Sequence, residues 1–212
     1  MQPFIDAYQY VVQDQARFWR ALGQHLTLSL AALCIAVAVC VPLGIWIARR
    51  VRVAEIAING FNALRVLPSL VILFLALPYL GIGFRPALVA LTVLAFPPVL
   101  VNTYAGLRGV DRAVSEAARG VGMSPWQSLR RVELPLAAPA ILAGIRVASV
   151  EVIASATLAS FIGGGGLGDY ITRGFALNET PIMLVGAVPV ALLALASEGL
   201  FGGLQRVLSQ RA

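Results

Sequence analysis

Long apolar segments alternate with shorter polar segments that carry arginine along most of this chain. A helix needs about 20 mostly apolar residues to cross the hydrocarbon core of a bilayer. The pattern therefore predicts five membrane-spanning helices, at residues 26–48, 56–80, 86–107, 136–162 and 182–204. Since none of these segments alternates in the manner of a barrel strand, we predict an all-α membrane protein.

Prolines inside two of these segments predict departures from a straight helix, because proline lacks the backbone N–H of a regular turn. Pro68, with Arg65 shortly before it, predicts a kink early in the second segment. Pro97 and Pro98 predict an interruption in the third segment.

The composition agrees with a membrane environment. Hydrophobic residues make up 59% of the 212 residues and charged residues 12%, which leaves too few polar groups to cover a soluble globule of this length. The 16 basic residues are all arginine, and the formal charge is +6. They are dispersed between apolar segments and form no single patch, so we expect no nucleic-acid partner. We expect residues 1–25 to form an extracytoplasmic or interfacial segment without a cleaved signal, and residues 26–212 to form one membrane domain.

The distribution of arginine predicts the orientation, because loops rich in basic residues stay on the cytoplasmic side. The connections after the first and third segments hold Arg49, Arg50, Arg52, Arg108, Arg112, Arg119, Arg130 and Arg131. The opposite side holds Arg17, Arg20, Arg85 and Arg173. We therefore predict that the N-terminus is outside, that the C-terminus with Arg206 and Arg211 is inside, and that residues 108–135 are cytoplasmic.

The polar insert at residues 108–135 carries signals for a first short helix. Asp111 is a predicted N-cap for a helix that runs through Val121. Gly122 suits the left-handed conformation in which many helices end.

A second short helix is predicted directly after it. Ser124 and Gln127 match a capping box, with Pro125 at the first helical position. The helix is expected to end near Leu134 and Pro135, where the chain returns to the bilayer. Such a pair of helices is either a docking element, with Trp126 available for a protein contact, or a helical loop that lies on its own bundle.

The motif Glu116-Ala117-Ala118, followed by Gly122 and a final Leu134-Pro135, resembles the EAA loop of permease subunits of binding-protein-dependent ABC importers. In that family the loop is the coupling helix that fits a groove on a cytoplasmic ATPase. The resemblance implies the type I importer permease fold. It also implies a set of ATPase-coupling residues: Glu116, Ala117, Ala118, Gly122, Pro125 and Trp126.

The resemblance covers most of the chain after residue 26. The segments 65–70, 102–104, 106–111 and 163–169 are similar to permeases of osmoprotectant importers, which carry glycine betaine, choline, carnitine and related quaternary amines. Methionine-importer permeases share a similar glycine-rich segment and are the alternative. The resemblance implies a bacterial inner-membrane location and three protein partners: an ABC ATPase dimer that binds ATP and Mg²⁺, a second permease subunit, and an extracytoplasmic solute-binding protein.

The glycine run 163–168 formally matches a dinucleotide-binding pattern. It follows a predicted membrane helix, and neither a preceding strand nor the lysine of a P-loop is present. We interpret it as a turn near the pathway and the binding protein. The chain is therefore expected to bind no cofactor of its own.

Polar groups within the spans are the candidate pathway or gate residues, because charges in a membrane need a partner or water. They are Glu151, Ser155, Arg65 and Asn102. The alternatives are a buried ion pair for Glu151, a role in shaping the broken helix for Arg65, and interhelical hydrogen bonding for Asn102. Arg146 is expected to reach the interface or a neighbouring acid.

Small residues in the fourth segment predict close helix packing. They are Ala148, Ser149, Ala154, Ser155, Ala156 and Ala159. This face either meets a second permease subunit or packs within the chain. A secondary transporter would be expected to show an inverted repeat, and an enzyme a convergent catalytic set. The sequence shows neither of them, and it shows no cluster with metal-ligand spacing.

Overall fold

The computed structural model describes residues 2–209, and for residues 51 and 52 it describes the backbone only. Within this range every regular element is helical, which confirms the all-α prediction. The elements are α1 (Gln2–Gln13), α2 (Gln15–Ala48), α3 (Val51–Leu64), α4 (Ser69–Leu80), α5 (Phe84–Arg108), α6 (Arg112–Gly120), α7 (Pro125–Ser128), a π-helical turn (Leu129–Glu133), α8 (Leu134–Ser155), a 3-10 helix (Ala156–Ile162), α9 (Gly168–Leu177) and α10 (Thr180–Ser209). Arg211 and the side chain of Arg52, both used to predict orientation, lie outside the described residues.

Helix α2 begins well before the predicted first span. Asp14 caps it by accepting a hydrogen bond from the backbone N–H of Arg17 at 3.1 Å. No proline follows before Pro42, so the helix continues without a break through residues 25 and 26. At 34 residues it is about 51 Å long, longer than the hydrocarbon core is thick.

The second predicted span is broken more sharply than a kink. Helices α3 and α4 meet at an angle of 96°. Pro68 is the N-cap of α4, and proline disfavours the helical conformation in the residue before it. By length and composition, four helical runs could cross a membrane, and the bent pair could form a fifth crossing.

The predicted interruption of the third span is wrong. Helix α5 runs continuously through Pro97 and Pro98. Both prolines are buried, and α5 lies in the centre of the bundle, packed against α2, α4 and α8. Packing on several sides holds the helix together where two backbone N–H groups are missing, as is common for membrane helices.

The predicted end of the insert near Leu134 and Pro135 is also wrong. Helix α7, the π-helical turn and α8 form one helical run from Pro125 to Ile162. The N–H of Leu134 bonds to the carbonyl of Leu129, five residues earlier. This wider turn directly precedes Pro135 and relieves the clash that its ring would make in a regular helix.

Contacts between helix ends define two ends of the bundle. At the insert end, Arg49 after α2 pairs with Glu133 before α8 at 3.6 Å. At the glycine end, the N–H of Gly83 before α5 donates to the carbonyl of Ile162 at 2.8 Å, and the N–H of Gly166 donates to Gln24 Oε1 at 3.3 Å. Neighbouring helices are therefore antiparallel, and the bent pair α3–α4 leads from one end to the other.

The small residues of the fourth span pack mainly within the chain. Ala148, Ser149, Ala156 and Ala159 are buried, whereas Ala154 is exposed and Ser155 half-buried. Intrachain packing, the alternative to a subunit contact, is confirmed for the four buried residues.

Helix α8 approaches α5 closely at Gly144. A Cβ atom there would lie 2.6 Å from the carbonyl oxygen of Pro98 and 2.7 Å from Cβ of Asn102. We expect Gly144→Ala to destabilise the bundle by about 1–3 kcal/mol, because backbone atoms of α5 must move. Gly199→Ala is the matched control, since a Cβ on this helical glycine meets nothing within 4 Å. Thermal unfolding in detergent compares the two variants, and equal melting temperatures would contradict the expectation.

Candidate functional site

The first helix of the insert, α6, has the predicted caps. Asp111 Oδ1 accepts a hydrogen bond from the N–H of Ala113 at 2.8 Å. At the other end Gly122 has φ +82°, and its N–H donates to the carbonyl of Arg119 at 2.9 Å, while the N–H of Met123 donates to Ala118 at 3.1 Å. These two bonds form a Schellman motif, which fixes the direction of the chain after α6.

The predicted start of the second helix of the insert is also confirmed. The N–H of Gln127 donates to Ser124 Oγ at 3.3 Å, and the N–H of Ser124 donates to Gln127 Oε1 at 2.8 Å. Pro125 occupies the first helical position. The capping box therefore directs the chain from the α6 turn straight into the long helical run.

The predicted coupling residues lie together on this turn. Exposed positions are held by Glu116, Ala117, Gly122, Pro125 and Trp126. Ala118 is buried and supports them from beneath. Trp126 is 66% exposed, a large apolar surface on a polar element. An exposed tryptophan on a rigid turn suits a protein contact.

The insert is fixed to the bundle through Glu133. Its carboxylate accepts a hydrogen bond from Ser128 Oγ at 3.1 Å and pairs with Arg49 at 3.6 Å. Leu129, one turn before Glu133, is buried beneath the insert. A force on the insert would therefore reach both α8 and α2. Glu133 is not among the residues predicted from the sequence, although an acidic residue between Arg131 and Leu134 could have indicated this link.

A second candidate site is a cavity of about 220 Å³ at the break between α3 and α4. Its lining residues are Leu64, Arg65, Leu67, Ser69, Ile72, Val93, Leu94, Pro97, Glu151 and Ser155. Three of the four predicted pathway residues are thus brought together: Arg65 from the break, and Glu151 and Ser155 from α8. They offer one positive charge, one negative charge and hydroxyl groups, and polar atoms form most of the surface that faces the cavity.

Asn102, the fourth pathway candidate, does not line this cavity. Its Nδ2 donates to the carbonyl of Pro98 within α5 at 2.8 Å, and its Cβ lies against Gly144. The predicted interhelical hydrogen bond is therefore wrong. An asparagine four residues after a proline pair can satisfy a backbone carbonyl locally, and it does so here.

Arg146 finds an acidic partner on α10. Its Nη2 bonds to Glu198, and its Nη1 donates to Gln205 Oε1 at 3.4 Å. Glu198 was missed as a site residue, although a carboxylate inside a predicted span is itself a signal. The pair joins α8 to α10 and places the C-terminal half of α10 beside the middle of α8.

The glycine run forms a turn, as expected. Gly163 ends the 3-10 helix in the left-handed conformation, and Gly168 begins α9. A helical turn precedes this loop where a dinucleotide-binding fold has a strand. The loop packs against the start of α2 through Gln24.

The bundle has several apolar spans, a rigid exposed insert at one end and a small charged cavity within it. These are features of the membrane-spanning component of a transport system. Comparison with known proteins supports this class. The family described as binding-protein-dependent transport system inner membrane component matches residues 40–211. The chain belongs to this family, and it is a multi-pass inner-membrane permease of the ABC importer class.

Two relatives are similar over most of their length. The carnitine transport permease protein OpuCB of Listeria monocytogenes is 46% identical over 189 residues, covering 89% of this chain and 87% of the relative. The choline transport system permease protein OpuBB of Bacillus subtilis is 49% identical over 172 residues, covering 81% of this chain and 79% of the relative. The resemblance to osmoprotectant permeases is confirmed.

A solved structure supports the fold. A chain of the MetNI methionine ABC transporter, in an inward-facing conformation, superposes with a TM-score of 0.79 and covers 92% of this chain and 97% of that one. The identity of the two sequences is 20%, so this likeness concerns the fold alone. The predicted type I importer permease fold is confirmed by it.

Proposed function

We propose that this chain forms the translocation pathway of an ATP-driven importer for quaternary-amine osmoprotectants such as glycine betaine, carnitine and choline. The proposal rests on similarity at 46–49% identity to permeases named for carnitine and choline transport. A small cavity with both charges is compatible with a solute of this kind.

In this proposal the insert end faces the cytoplasm, and the N-terminus of α2 lies outside. An extracytoplasmic binding protein delivers the solute, and a second permease copy or a related chain completes the pathway. A cytoplasmic ATPase dimer binds ATP and Mg²⁺ and docks on the turn that carries Glu116, Ala117 and Trp126. This chain translocates the solute and hydrolyses nothing itself.

In this proposal, motion of the ATPases is transmitted to the cavity along the long helical run. Closure of the ATPases on ATP displaces the insert, and α8 moves with it because the helix is continuous from Pro125 to Ile162. Glu151 lies 26 residues after Pro125, about 39 Å along a helix. Motion at the insert thus reaches the lining of the cavity as a rigid-body shift between two states.

Uptake into reconstituted vesicles tests this function. We expect glycine betaine uptake that requires the co-purified ATPase, Mg-ATP and the binding protein, and that falls to background when any one is omitted. Methionine, offered with the same components, is the competing solute. Uptake driven by an ion gradient without the ATPase would contradict the importer role, and uptake of methionine in place of glycine betaine would contradict the substrate class.

A further inference from the structure

The cavity at the α3–α4 break carries its two charges on different elements. Arg65 is the residue at which α3 ends, and Glu151 lies in the last turns of α8. Among the lining residues these two are the ionisable ones. The hydroxyls of Ser69 and Ser155 add polar groups, and the remaining lining is aliphatic or proline.

The two charges face one cavity without forming a direct pair. Among the side chains that the structure describes, oppositely charged groups lie within 4.0 Å of each other in the pairs Arg49–Glu133, Arg112–Glu116 and Arg146–Glu198. Arg65 and Glu151 are not among these pairs. Two separated opposite charges on one cavity attract a ligand that can neutralise both of them.

We propose that this cavity holds a small zwitterion, with its cationic end against Glu151 and its carboxylate against Arg65. The inference rests on the proposed function and narrows its substrate to solutes that carry both charges. The volume of about 220 Å³ equals that of about seven water molecules in the liquid, which suits a compact amino-acid-sized solute.

The chemistry of the two ends of the zwitterion explains why its cation is assigned to Glu151 and its carboxylate to Arg65. A quaternary ammonium group has no N–H to donate, so a carboxylate attracts it through charge alone. Aromatic cages are the other common receptor for such groups, but the described lining residues include no aromatic ring. A carboxylate can accept two parallel hydrogen bonds from guanidinium, which makes arginine its preferred partner.

The same geometry predicts discrimination between substrates. Glycine betaine satisfies both Glu151 and Arg65, whereas choline, a cation with a hydroxyl group, leaves Arg65 without a negative partner. Hydrogen bonds to charged groups contribute enough to change affinity by about tenfold or more. We therefore expect glycine betaine to bind the permease at least about tenfold more tightly than choline.

Ligand-observed saturation-transfer NMR on the purified permease–ATPase complex in nanodiscs tests this, with glycine betaine and choline as probes and no binding protein present. Arg65→Gln is expected to weaken glycine betaine about tenfold and to leave choline within twofold of wild type. Glu151→Gln is expected to weaken both. Arg85→Gln and Glu179→Gln, which remove exposed charges outside the cavity, should change neither.

Equal affinities for glycine betaine and choline in the wild-type complex would overturn the inference, and this result needs no variant to fold. Equal weakening of the two probes by Arg65→Gln would also overturn it. An uptake measurement distinguishes failure of the cavity assignment from failure of the proposed importer function. If the wild-type complex imports glycine betaine with ATP but the NMR affinities of variants and wild type are the same, the cavity assignment fails while the importer function stands.

Discussion

Replacing Trp126 with alanine is expected to release the ATPase from the permease while the helix bundle stays folded. Trp126 is 66% exposed, so its removal costs the isolated chain little packing. Exposed aromatic residues that become buried in an interface commonly contribute about 2 kcal/mol or more to binding. We therefore expect the affinity for the ATPase to fall about thirtyfold or more, with a corresponding loss of ATP-driven uptake.

Trp19 provides a matched control for this experiment. It is 63% exposed and lies in the first turns of α2, at the end of the bundle opposite the insert. Trp19→Ala should leave ATPase binding unchanged. The measurement is titration of the detergent-solubilised permease with the purified ATPase, with melting temperature as the check on folding. Normal ATPase affinity in Trp126→Ala would contradict the assignment of the insert as the docking element.

The two helix starts in the insert and the end of α6 were predictable because their signals are local. Asp111, Gly122 and Ser124 each act on backbone groups within a few residues, so the sequence around them determines the geometry. The broken second span was predictable for the same reason, since Pro68 restricts its immediate neighbour.

The errors arose where packing overrides a local signal. Pro97 and Pro98 do not interrupt α5, because surrounding helices hold it in place. Pro135 does not end the insert, because the π-helical turn before it accommodates the ring. A proline predicts a missing hydrogen bond in both cases, but only the tertiary structure decides whether the helix breaks or adjusts.

The charged cavity could be predicted in part. Arg65 and Glu151 were recognisable as polar groups within apolar segments, yet 86 positions separate them in the sequence. Their position on one cavity follows from the bend between α3 and α4 and the packing of that pair beside α5 and α8. Asn102 is also a polar residue within an apolar segment, but its side chain donates a hydrogen bond to a backbone carbonyl of its own helix.

The second large effect is expected at the pair between Arg146 and Glu198, which joins α8 to α10. Arg146→Leu leaves the Glu198 carboxylate in the bundle without its cation, and an ionised group in a span is costly when unpaired. We expect a several-fold fall in the abundance of folded protein and a lower melting temperature. Glu198→Leu should have the same effect, since it leaves Arg146 unpaired.

The double variant Arg146→Leu/Glu198→Leu separates the cost of an unpaired charge from the value of the contact. Removing both partners leaves no uncompensated charge, so the double variant should be more stable than either single variant. Arg206→Leu is the control, because Arg206 is an exposed arginine in the last turn of α10. Melting temperatures and size-exclusion profiles give the comparison. If the two single losses simply add in the double variant, the residues act independently and the pair does not hold α8 to α10.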